Sequence, residues 1–128
     1  MSEIDHFTSL TFEEVCQQFF WQSGLSGKLP FVPTHIGNWW NANEEIDLVV
    51  IGESDAILVE CKWTSKPVGI DILADLERKA ELVRTELDNR QIRFALCSRS
   101  EFTSQLIEVS KQRYVSRLTL VKLPEIVG

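Results

Sequence analysis

No apolar run in this 128-residue sequence approaches the roughly 20 residues that a membrane-spanning helix needs. Its N-terminus, MSEIDHFTSL, lacks the basic start and apolar block of a signal peptide. There is no glycine-rich phosphate loop and no paired nucleophile and base, so a small-molecule enzyme has little support. No repeat, low-complexity tract or linker-like stretch divides the chain. His6 and His35 have no partner at metal-ligand spacing. The three cysteines, Cys16, Cys61 and Cys97, are odd in number and form no spaced metal-binding pair. Each sits among apolar residues, as expected of reduced core cysteines in a cytoplasmic protein. Bases are scarce in the first half: residues 1–61 carry ten acids and a single base, Lys28, for a net of -9. Residues 62–128 carry twelve bases and nine acids, for a net of +3. The overall charge of -6 argues against a general nucleic-acid coat, while the uneven division permits a local anion-binding face.

What is present suits one soluble domain spanning 1–128, since 44% hydrophobic and 25% charged residues are ordinary for a globular core of this size. The stretch TFEEVCQQFFWQ places Phe12, Val15, Cys16, Phe19 and Phe20 on one helical stripe, and Thr11-x-x-Glu14 fits a capping box. SGLSGKLP breaks that helix. Residues 31–40 read as an irregular strand ending at Trp39-Trp40. Two apolar strands follow, 46–51 and 56–62, joined by the turn-like GESD. From 69 to 89, Leu73, Leu76, Ala80, Val83 and Leu87 recur three and four residues apart, which predicts an amphipathic helix. QIRFALCS reads as a buried strand, Ser98-x-x-Glu101 as the start of a helix carrying Phe102, Leu106 and Val109, and RLTLVKL as the last strand before Pro124. The order is αβββαβαβ. Strands apolar on both faces imply an α/β sandwich of three layers, with helices covering a mixed sheet.

The two apolar strands hold charges that are costly to bury without a partner: Asp47 in the first, Glu60 and Lys62 in the second. If Gly52 to Asp55 form a four-residue loop, Ile51 faces Ala56 and Asp47 falls opposite Glu60. Glu60 and Lys62 are two residues apart and share a face. Directly opposed Cβ atoms lie about 4.5–5.5 Å apart, so Asp47 joins them there. Opposed carboxylates need a counter-charge. A divalent cation supplies one, and carboxylate oxygens suit Mg²⁺ or Mn²⁺. Lys62 neutralising one acid, or strand ends reaching solvent, are the simpler accounts. A one-residue slip in register would turn one strand over.

With these positions, EEIDLVV…AILVECKW resembles the PD-(D/E)xK, or restriction-endonuclease-like, superfamily, which includes archaeal Holliday junction resolvases. Glu14, Asp47 and Glu60-x-Lys62 match its motif, with Ile46 in place of the name-giving proline. From Phe12 to Ser98, including GNWWNANEEIDLVV and ECKWTSKPVGIDILADLERKAELV, the chain is most similar to the nuclease-like C-terminal domain of certain archaeal and bacterial ATPases. The resemblance implies a Mg²⁺- or Mn²⁺-dependent DNA endonuclease that leaves a 5′-phosphate and a 3′-hydroxyl. It makes Asp47, Glu60, the Cys61 backbone carbonyl and Glu14 the metal ligands. It gives Lys62 the water and the charge on the transition state. The other implied role is an inactive module that binds DNA or docks onto an ATPase in cis or in trans.

Several residues have a second account. Glu14 is explained equally by the capping box. Glu44 and Glu45 read as solvated loop charges beside the site. Lys79 and Arg78 read as helix-surface charges, with Lys79 within reach of a phosphate face. Trp39, Trp40 and Trp63 could stack on bases or serve as core and interface aromatics, including those of a homodimer.

Overall fold

The computed structural model describes residues 11–112 and 117–127; His6 lies outside them. Helix α1 spans Phe12–Leu25, and the capping box at its start is formed in full. Thr11 Oγ1 accepts from the Glu14 N–H, and Glu14 Oε1 accepts from the Thr11 N–H, each at 3.1 Å. Strands β1 (His35–Trp40), β2 (Glu45–Ile51) and β3 (Asp55–Lys62) follow. Then come α2 (Ile70–Val83), β4 (Gln91–Ser98), α3 (Ser104–Gln112), β5 (Leu118–Lys122) and a short α4 (Leu123–Val127).

The five strands lie side by side in chain order. β1, β2 and β3 run antiparallel, whereas β4 and β5 add in parallel to β3. The sheet is therefore mixed, within the α/β class. Ile51 pairs with Ala56, and the Gly52 N–H donates to the Asp55 carbonyl across the loop at 2.8 Å. Phe31 packs on Gly52 so closely that a Cβ there has no room.

Alternation along the strands sends side chains into two apolar clusters. Ala56, Leu58, Leu96 and Leu118 join α2 and α3 through Leu73, Leu76 and Leu106. Leu48, Val50, Ile57 and Val59 join α1 and α4 through Val15, Phe20 and Ile126. At about 25 cal/mol per Å² of apolar surface removed from water, these clusters supply the main drive for folding.

Three sequence expectations shift. The first strand begins at His35 rather than residue 31. The 69–89 helix stops at Val83 and gives way to a run of turns that ends at Asp88 and Asn89, both at positive φ, a region that tolerates Asp and Asn. Thr103, not Ser98, caps the next helix: its Oγ1 accepts from the Leu106 N–H, whereas Ser98 Oγ accepts from the Ser100 N–H. Phe102 lies before that helix, in a bridge to Val68. The order also gains α4 at its end. Pro124 suits the first turn of a helix, and Glu125 Oε1 accepts from the Lys122 N–H there.

Candidate active site

The β2–β3 ladder stops at Leu48↔Val59. Beyond it the two strands part, β2 staying with β1 through Ile46↔Trp39 and β3 staying with β4 through Lys62↔Ser98. The fork leaves the Cys61 N–H beyond the last β2–β3 pair. Asp47 Oδ2 accepts from that N–H at 2.8 Å. The side chain of Asp47 thus continues the sheet where the backbone no longer does. Lys79 of α2 closes the other arm of the fork by donating to the Glu45 carbonyl at 2.8 Å.

The ladder therefore ends one pair short of the expected pairing of Asp47 with Glu60; the two acids stand on separate arms of the fork, where the charge of Asp47 still reaches Glu60. Burial raises the Asp47 carboxyl, with the Cys61 N–H pulling it back down. Burial, then the charge of Asp47, pushes Glu60 up to about 7 from an ordinary 4.5, against the smaller pulls of Lys79 and Lys62. Lys62 Nζ stands 3.6 Å from Glu60 Oε2, too far for a strong hydrogen bond. The other oxygen, Glu60 Oε1, is buried and has no hydrogen-bond partner among the described residues. Buried acceptors are nearly always satisfied, so an orphaned carboxylate oxygen in the field of a second acid could take a cation. Hard oxygen donors of this kind suit Mg²⁺ or Mn²⁺.

The helix carboxylates divide between two tasks. Glu14 is exposed and engaged in the cap, and its pKa is lowered by the Thr11 backbone and hydroxyl. Its neighbour Glu13 is also exposed, but its pKa is raised by partial burial and then by the charge of Asp47. Glu13 is therefore the α1 acid that senses the fork, a relationship that sequence spacing does not reveal because Thr11-x-x-Glu14 is already a complete motif.

Lys79 is buried, not a solvated helix charge, and it also lies 3.4 Å from Asp75. Glu44 is not a free loop charge either, since Arg78 holds it with two hydrogen bonds of 2.7 and 3.0 Å. Trp39 donates to Glu86 at 2.8 Å and packs against the α2-side core. Trp40 and Trp63 are exposed. Arg99 lies over Trp63 at 4.8 Å from the ring centre, with Phe12 tilted against the same ring. Trp63 follows Lys62 directly in the chain, and the Arg99 N–H donates to the Lys62 carbonyl at 3.1 Å.

Residues 1–94 match DUF234, described as archaea bacterial proteins of unknown function. The chain belongs to the DUF234 family. The DUF234 chain is 36% identical over 86 residues to the uncharacterized protein MJECL04 of Methanocaldococcus jannaschii. That match covers 64% of this chain and 20% of the relative, so the chain spans about a fifth of the length of the curated relative it matches. A repair endonuclease from Pyrococcus abyssi superposes with a TM-score of 0.58 at 12% identity, over 89% of this chain and 47% of that one. A protein of unknown function, AF1548, superposes with a TM-score of 0.53 at 14% identity, over 84% of this chain and 58% of that one. The DUF234 chain therefore has a nuclease-like fold. Among its described residues no helix is long and apolar enough to cross a membrane.

Proposed function

We propose that this domain is a metal-dependent endonuclease that hydrolyses phosphodiester bonds in DNA, with branched or flapped structures as the preferred substrates. The observation that carries the reading is the fork itself. Asp47 is fixed there by the Cys61 N–H, its charge reaches Glu60, a buried oxygen of Glu60 has no partner among the described residues, and Lys62 lies beside Glu60. Asp47, Glu60 and the backbone carbonyl of Cys61 would hold Mg²⁺ or Mn²⁺. A carboxylate of α1, drawn toward the fork, would complete the set. Glu13 suits this better than Glu14, whose oxygen is engaged by the Thr11 N–H. When bound, the ion would polarise the phosphate and lower the pKa of a coordinated water.

The chain's own groups do the rest. Asp47, fixed by the Cys61 N–H, sets the position of the carboxylates before substrate arrives. Lys62, partly exposed and only loosely paired, turns toward the phosphate, orients the attacking water and stabilises negative charge as it develops. Trp63 and Arg99 offer a stacking face and a positive charge to the strand leaving the site. The test is cleavage of plasmid, flap and junction DNA with Mg²⁺ or Mn²⁺, set against Lys62→Ala. Cleavage that needs the metal and falls at least a hundredfold in the variant supports the reading. Equal activity in both proteins refutes it.

A second reading, a nuclease-fold module that docks onto an ATPase in cis or in trans without cutting DNA, is favoured by one observation. The M. jannaschii relative is about five times longer than the matched segment. Calorimetry with Mn²⁺ separates the two: the docking module shows no heat that depends on Asp47.

A further inference from the structure

Cys61 carries the fork's N–H on its backbone, but its side chain points to the other face of the sheet. There Cys61 of β3 meets Cys16 of α1 and Cys97 of β4, and the three sulfur atoms all lie within 4.8 Å of one another. All three thiols are free, and they are the only cysteines in the sequence. They stand 45 and 36 residues apart along the chain, so only the packing of α1 on the sheet brings them together. Cys16 and Cys97 are fully buried, whereas Cys61 is partly exposed.

We infer that Cys16, Cys61 and Cys97 form a three-sulfur site for a single thiophilic cation of low coordination number, of the monovalent copper or cadmium type. With metal–sulfur bonds of about 2.3 Å, an ion in the plane of three sulfurs needs them about 4.0 Å apart. The observed spread meets this with small side-chain movements. No fourth His, Cys, Asp or Glu belongs to the group among the described residues, which disfavours zinc in its usual fourfold setting. Soft thiolate donors select soft ions. Binding forms up to three metal–sulfur bonds, releases the thiol protons to water and involves no change of oxidation state. An ion here would tie α1 to β3 and β4 directly behind the carboxylate fork.

The experiment titrates the reduced full-length protein, without oxygen, first with Cd²⁺ and then with Cu⁺. The expected result is a sulfur-to-metal charge-transfer band that saturates at one equivalent. It persists in Asp47→Asn and is lost in Cys16→Ser and in Cys97→Ser. Absence of the band, or a full band in Cys16→Ser, overturns the proposal. X-ray absorption on the wild-type protein needs no variant to fold. Three sulfur neighbours support the site, and a shell of oxygen or nitrogen overturns it.

Discussion

Replacing Glu60 with glutamine should stabilise the metal-free protein while removing its cation site. The Glu60 carboxyl is raised from 4.5 to about 7 by burial and by Asp47. The folded state therefore keeps a proton that the unfolded chain has already lost over that interval. Stability from this group is intact below pH 4.5 and drains away as the pH rises to about 7. At about 1.4 kcal/mol per pH unit the full effect is about 3 kcal/mol. Solvent access at the fork and side-chain relaxation reduce it to about 1–3 kcal/mol. Urea unfolding of the wild type and of Glu60→Gln, with chelator present, is compared at pH 5 and pH 8. The wild type should lose that amount relative to the variant at the higher pH, a difference of several degrees in Tm. Mg²⁺ at pH 8 should then restore stability to the wild type and not to Glu60→Gln, because only a ligand that binds the folded state stabilises it. If the two proteins lose stability in parallel between pH 5 and pH 8, the two acids are not in conflict and the argument for a cation fails.

Four further outcomes are expected. Lys62→Ala should leave Mn²⁺ binding by calorimetry unchanged while cutting cleavage by about 10²–10⁴, the usual weight of a group that handles water and charge. Glu13→Gln should weaken Mn²⁺ binding about tenfold, as loss of a supporting carboxylate typically does, whereas Glu14→Gln should affect only helix stability. Lys79→Met removes the donor to the Glu45 carbonyl and should cost about 1–3 kcal/mol in urea unfolding. Because Lys79 pulls Glu60 down, the same variant should raise the Glu60 titration followed by NMR. Leu96→Ala, at a fully buried position of β4, should cost about 2–5 kcal/mol through the cavity it leaves.

The parts legible in the sequence are those governed by neighbours in the chain. The Thr11–Glu14 box, the loop that sets Ile51 against Ala56, and the alternation along 46–62 are local patterns. Each forms as the residues predict because its partners lie within a few positions or directly across a tight turn. The periodic stripe from Leu73 to Leu87 likewise announces a helix, although it ends at Val83, before the stripe does.

Other features are set by packing between distant elements. Nothing in the order of residues says that β2 and β3 part after Leu48 and Val59 while each keeps its outer neighbour, β1 or β4. At that fork the Asp47 carboxylate takes a backbone N–H, and a lysine 34 positions away in the chain is buried against the Glu45 carbonyl. How α1 docks on the sheet settles that Glu13, not Glu14, senses Asp47. That same docking gathers three widely spaced cysteines behind the fork. Local propensity and alternation thus determined which residues lie on which face. Only the close packing of helices on a forked sheet decided which of them meet.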